Sequence, residues 1–173
     1  QEPFFANLSR NVSKAPSNAI PTAGVRVNPD TARFEMLYNP EFFEKLTDKQ
    51  RLGVLKHEFY HLIFEHVTCR MPDGSSGNYH DWAKANPDKA RQWNFATDLA
   101  INSHLKGELP ENCLMPGEGP FADFPVGLSS EAYYAMLEQK QEEKDEGKGE
   151  GSGEDSDEDS EGSGSGDPSD GSG

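Results

Sequence analysis

Residues 47–68 read TDKQRLGVLKHEFYHLIFEHVT, and the reading of this stretch decides what kind of domain the chain forms. Thr47 and Gln50 stand three residues apart ahead of an apolar run, the spacing of a capping box. From that cap the pattern predicts a helix running to about Thr68. Leu52, Val54, Leu55, Phe59, Leu62, Ile63, Phe64 and Val67 fall nearly all round it, so the helix is expected to be buried rather than superficial. Inside it lies His57-Glu58-Phe59-Tyr60-His61, an H-E-x-x-H. At about 100° per residue, His61 is about 40° from His57 and Glu58 about 100°, all on one side of the helix. Two neutral imidazoles one turn apart can both reach a Zn2+ at about 2.0–2.1 Å. Glu58 beside them is placed to act as general base on a metal-activated water. Core histidines satisfied by ordinary hydrogen bonds are the plainer alternative.

A catalytic zinc needs a third protein ligand. Glu65 continues the row from His61 but lies about 12 Å along the axis from His57, too far to converge on one ion. His66 is expected about 180° from His57, pointing away as a satisfied core or surface histidine. His80 and Asp81 sit on an expected loop and could fold back. His104 fits no pattern. A second helix is sharper: Asn86-Pro87-Asp88 supplies a cap, a proline at the first position and an acid in the first turn. It is predicted to run through Trp93 to Leu105 and to stop at Gly107. Asn94, Asp98 and Asn102 recur at i, i+4, i+8 on the side of Ile101 and Leu105, so the stripe should face inward. A buried Asp between two Asn is costly unless something binds it, and a cation does. Asp98 is the expected third ligand, with Asn94 and Asn102 orienting the ligands. His80, or a hydrogen-bond network without metal, stays open as the alternative.

Around these helices the pattern predicts a short helix over Phe4 to Val12. Gly24–Val27 and Phe34–Tyr38 are expected to form a β-hairpin turning at Pro29, and a short helix from Pro40 to Leu46 to follow. Arg70 to Asp81 reads as a loop, and the prolines at 110, 116, 120 and 125 mark another. Ser129 or Ser130 caps a last helix that frays into the acidic end. Cys69 and Cys113 have no C-x-x-C spacing and are expected to be reduced and buried, as in a cytoplasmic protein. The chain opens on Gln1, so a targeting segment is expected to have been removed if there was one.

Of the formal charge of −15, residues 138–173 carry 14 acidic and 3 basic side chains. From Gly147 onward there is no aliphatic or aromatic residue. Such a stretch buries nothing to offset ordering entropy, so 138–173 is expected to be a disordered acidic Gly/Ser-rich tail or linker, and 1–137 the folded domain. The tail reads as a solvated spacer, with docking to a basic partner or loose Ca2+ binding as alternatives. No basic cluster is present to track phosphates, which argues against nucleic acid and against a protease acting on DNA-bound proteins. No apolar run approaches the roughly 18 residues of a membrane span.

His57-Glu58-Phe59-Tyr60-His61 together with Trp93-Asn94-Phe95-Ala96-Thr97-Asp98-Leu99-Ala100-Ile101-Asn102 resembles the metallopeptidase domain found upstream of a von Willebrand factor A-like domain in bacterial and phage proteins. The likeness extends to Ile20–Gly24, Tyr38–Phe43 and Ser130–Tyr134, and covers nearly all of residues 20–137. It implies a zincin-like peptidase, and it implies that 138–173 is a flexible linker. The chain carries no von Willebrand-type domain. It is therefore expected to be a truncated or processed chain, to act alone, or to work with a separately encoded von Willebrand factor A-like partner.

The expectation is an α+β, mainly helical zincin-like domain with a small hairpin or sheet. It would be a zinc metallopeptidase with His57, His61 and Asp98 as ligands and Glu58 as catalytic base, acting on a peptide or protein substrate in the cytoplasm. Tyr60, Tyr79 and His80 are the candidates for stabilising an oxyanion, with a structural role as the alternative for each. The rival is a catalytically silent, metal-stabilised binding module acting with a partner domain.

Overall fold

One short helix and three short strands come first in the chain, and from residue 40 onward it is helical between its loops. The computed structural model describes residues 3–147. Helix α1 (Pro3–Asn11) leads into strands β1 (Ser13–Pro16), β2 (Ala23–Val27) and β3 (Phe34–Tyr38). Helices α2 (Pro40–Glu44), α3 (Asp48–Ile63), α4 (Tyr79–Ala85), α5 (Pro87–Asn102) and α6 (Ser130–Gly147) follow, with a 3-10 turn at Gly119–Phe121. The described residues are α+β and mainly helical, as expected. None of their helices is long and apolar enough to cross a membrane.

The predicted hairpin forms. Asn28 Oδ1 accepts from the backbone N–H groups of Asp30 and Thr31 at 2.9 and 3.2 Å, closing the turn. β2 pairs antiparallel with β3, Val25 opposite Met36. β1 adds a third strand parallel to β3, giving the order β1-β3-β2. That leaves β2 on an edge, and this edge runs beside α3.

At α3 the capping box forms in both directions, Thr47 N–H to Gln50 Oε1 and Gln50 N–H to Thr47 Oγ1. The helix ends at Ile63, however, not near Thr68. Glu65 adopts φ 61°, and its N–H donates to Leu62 O while His66 N–H donates to His61 O. This is a Schellman turn with glutamate in the left-handed position that glycine usually takes. The helix is also less buried than its composition implies, since Leu52 and Ile63 are 45% and 37% exposed.

Two further differences bear on the site. The loop expected over residues 70–81 is present but ends at Asn78, where α4 begins, capped by Asn78 Oδ1 accepting from Asp81 N–H. α5 stops at Asn102 rather than Leu105, and the chain then turns through Gly107 at φ 79°. The last helix starts where predicted, with Ser129 Oγ accepting from Ala132 N–H, and runs past residue 137 to Gly147. The acidic segment lies outside the described residues from residue 148 onward.

Burial is organised in two apolar clusters. One, around Met36, Val54, Phe59 and Leu62, lies between the sheet and α3. The other, around Trp93, Leu99, Phe124 and Tyr133, lies between α5 and α6. Between them runs a seam where α3 faces α5, and there the buried side chains are polar: Glu58, His61, His66, Asp98 and Asn102. The loop after α5 is clamped against α3. Lys56 Nζ meets Glu108 Oε2 at 2.6 Å, and a Cβ added at Gly53 would overlap the Glu108 carbonyl.

Candidate metal centre

The seam brings three ligand atoms together. His57 and His61, one turn apart on α3, both turn Nε2 toward Asp98 Oδ1 on α5. The Nε2 atoms are 3.1 Å apart; Asp98 Oδ1 lies 3.1 Å from that of His61 and 3.4 Å from that of His57. Among the described residues this is the one His/Cys/Asp/Glu group that could hold a metal ion. It is also deep, with Asp98 and His61 4% and 3% exposed.

Each charge here is explained by the others. Burial alone would push the His57 pKa down, but the hydrogen bond to Asp98 and the charges of Asp98 and Glu58 outweigh it and raise the pKa to about 9. Burial would likewise raise the Asp98 carboxyl. The hydrogen bonds and charges of His57 and His61 instead hold it down at about 2. Glu58 moves the other way: burial raises its pKa against the pull of the two imidazoles. Its carboxylate is approached by the backbone of Val25 on β2, yet Oε2 is buried with no hydrogen-bond partner.

The groups behind the two imidazoles fix their ring orientation. Asn102 Nδ2 donates to Leu114 O at 2.8 Å, which identifies Oδ1 as the atom facing His57 Nδ1 at 2.7 Å. An amide oxygen can only accept, so His57 carries its proton on Nδ1 and turns a lone pair at Nε2 into the seam whenever the ring is neutral. Asn102, expected to orient a ligand, lies in hydrogen-bond contact with the His57 ring. Asn94, a turn before Asp98, is half-buried and its side chain makes no hydrogen bond to the group.

The remaining sequence candidates fall elsewhere. His80 and Asp81 are exposed on α4, and Glu65 and His104 are exposed as well. Tyr60 packs in a row with Phe5 and Phe64, and Tyr79 against Trp82. None of Tyr60, Tyr79 and His80 lines the cavity at His57, Glu58 and Asp98. His66 is a core histidine with hydrogen-bond contacts on both ring nitrogens, but it does not point away as expected. Because α3 ends early, the chain doubles back and buries His66 behind His61, Nδ1 to Nδ1 at 3.3 Å, with its Nε2 3.2 Å from Ser130 Oγ. Burial, then the charges of His61 and Arg70, push its pKa down to about 2, so the ring is neutral. No glycine or proline marks that helix end, so nothing in the local sequence discloses the contact.

A cavity of about 50 Å³ opens onto the group, lined on its apolar side by Phe42, Val54, Leu109 and Leu114, with Cys113 at its wall. It has room for water and a small group against Glu58 and Asp98. Two imidazoles, a buried carboxylate aimed at them and a second carboxylate with a free oxygen make a site that can bind a divalent cation and move a proton beside it.

The family described as "Putative metallopeptidase domain" matches residues 1–172. No curated protein and no solved structure matches the chain.

Proposed function

The chain belongs to that metallopeptidase family, and on this premise we propose that it is a zinc-dependent peptidase hydrolysing peptide bonds in a peptide or protein substrate. His57, His61 and Asp98 would hold the zinc, and Glu58 would act as the base. The observation that carries the reading is Glu58 Oε2, buried and without a partner beside three converging ligand atoms. Leaving such an oxygen unsatisfied costs about 1–3 kcal/mol, and a water held against it removes that cost.

Zinc suits the donor set, which combines imidazole nitrogen and carboxylate oxygen. Atoms about 2.0–2.1 Å from a tetrahedral ion stand about 3.3 Å apart. The separations of 3.1, 3.1 and 3.4 Å agree with that edge. When bound, zinc would supply Lewis acidity to a scissile carbonyl and lower the pKa of a water.

The protein's own part is proton transfer and desolvation. Glu58 takes a proton as the water oxygen bonds to the carbonyl carbon. It returns that proton to the amine nitrogen as the C–N bond breaks. Burial raises the Glu58 pKa, which strengthens it as a base. Phe42, Val54 and Leu109, on the apolar side of the cavity, would limit the access of bulk water to the reacting atoms.

The test is Glu58→Gln, measured for zinc content and for cleavage of a broad peptide library. Zinc should stay near the parent level while cleavage falls by about 100-fold or more. Cleavage at the parent rate would contradict the role of Glu58. A zinc-loaded parent that cleaves no peptide would overturn the enzyme reading in favour of a metal-stabilised binding module.

A further inference from the structure

We infer that His66 is a positioning residue of the metal centre, holding the His61 ring so that Nε2 faces His57 and Asp98 and taking its own anchor from Ser130 on α6. The inference rests on the reading of His57, His61 and Asp98 as metal ligands. A ligating imidazole needs its second nitrogen held by an acceptor, which sets both tautomer and ring angle. For His57 that acceptor is Asn102 Oδ1. For His61 it is Nδ1 of His66, at 3.3 Å.

An imidazole nitrogen accepts only when it carries no proton. His66 Nε2 lies 3.2 Å from Ser130 Oγ, a partner able to accept, so the His66 proton can sit on Nε2 and leave Nδ1 with its lone pair toward His61. The hydrogen bonds then run one way: His61 Nδ1–H to His66 Nδ1, and His66 Nε2–H to Ser130 Oγ. The reverse direction puts the His61 proton on Nε2, where it would occupy the lone pair a metal needs. With a metal bound, only the first direction is left.

The fold builds this contact from three elements. The turn at Glu65, φ 61°, swings His66 back under α3. Such a backbone conformation disfavours any residue with a Cβ by about 1 kcal/mol, so it persists because the contacts beyond it over-determine it. Arg70 then grips Glu131 with both ends, Nε to Oε1 at 2.6 Å and Nη2 to Oε2 at 2.9 Å, next to Ser130. Trp93 of α5 packs edge-on against the His66 ring, centroids 5.8 Å apart. His66 and Ser130 are each 3% exposed, so water does not compete for the two contacts. The orientation of a ligand on α3 therefore depends on the seating of α6.

The test compares zinc affinity, by competition with a chromophoric chelator, in the full chain and in His66→Phe, His66→Asn and Ser130→Ala. Nitrogen-15 spectra of the zinc-loaded parent report which ring nitrogens carry protons. His66→Phe keeps the ring and loses the acceptor, and should weaken zinc by about 10–100-fold. His66→Asn offers an oxygen to His61 Nδ1–H and should recover most of that loss, while Ser130→Ala should weaken zinc by a few-fold. His61 should carry its proton on Nδ1 and His66 on Nε2. Parent-like affinity in His66→Phe, no recovery in His66→Asn, or a proton on His66 Nδ1 in the loaded protein would overturn the inference. If His66→Phe does not fold, Ser130→Ala and the parent spectra decide between the same outcomes. A parent that binds no zinc would overturn the metal reading too, whereas zinc in the parent with His66→Phe unchanged overturns this inference alone.

Discussion

Replacing Asn102 by leucine keeps the branched four-atom frame of the side chain, adds the bulk of two methyl groups and removes two buried hydrogen bonds. In the native seam Asn102 is 3% exposed, accepts from His57 Nδ1 at 2.7 Å and donates to Leu114 O at 2.8 Å. The substitution leaves a buried ring N–H and a carbonyl without partners, at about 1–3 kcal/mol each, and leucine leaves no room for a replacing water. A total of about 3 kcal/mol is a large share of the 5–15 kcal/mol of a typical domain. With a urea dependence of about 2 kcal/mol per molar, the midpoint in chelator should fall by about 1.5 M. Zinc affinity should fall as well, by about 10–100-fold, because His57 loses the group that fixes its tautomer. Asn102→Asp separates the two effects. It keeps an acceptor for His57 but sets a carboxylate oxygen against the Leu114 carbonyl, so stability should drop while zinc affinity stays within a few-fold of the parent. Urea melts in chelator and zinc competition titrations read these quantities independently. An Asn102→Leu protein with parent-like midpoint and parent-like zinc affinity would refute the argument.

Three other outcomes are expected. Gly53→Ala, a change that in an open helix adds about 1 kcal/mol of stability, should instead destabilise by about 1–3 kcal/mol, because the new methyl meets the Glu108 carbonyl; a raised melting temperature would contradict the close approach of that loop. Burial favours protonation of Glu131, but the hydrogen bonds and charge of Arg70 outweigh it and hold its carboxyl below the ordinary value. The pair therefore stabilises the fold above the ordinary carboxylate pKa and loses that contribution as pH falls through the lowered one. Glu131→Gln should cost about 1 kcal/mol at pH 7 and converge with the parent in acid, and a difference that persists below pH 3 would exclude this origin. Burial and the charge of Asp98 push the Cys113 thiol up to about 11 from 9.0. Iodoacetamide at pH 8 should therefore modify it about 100-fold more slowly than a free cysteine, and mass mapping showing rapid modification would contradict its placement.

Much of this was legible in the sequence where local chemistry is decisive. The capping box at Thr47 and Gln50 placed the first long helix, and the i+4 spacing of His57 and His61 followed from it. The stripe through Asp98 and Asn102 read as inward because Ile101 and Leu105 share its side, and both residues are buried against the histidines. Asn94 broke the pattern: it is only half-buried and its side chain does not reach the group. What was hidden depends on contacts distant along the chain or on a backbone state without a residue signature. Glu65 in the left-handed region ends α3 with no glycine to announce it, and that alone moves His66 from the far side of a helix to the back of His61. The parallel pairing of β1 with β3, and the tie of Lys56 to Glu108, likewise have no local signal.

The central claim is that His57, His61 and Asp98 hold one metal ion. Native mass spectrometry of the intact chain, purified with zinc and freed of loose metal, tests it most directly. The account predicts one zinc per chain in the parent and a clear loss in Asp98→Ala. A parent without zinc, or an Asp98→Ala protein that keeps its full complement, would contradict it.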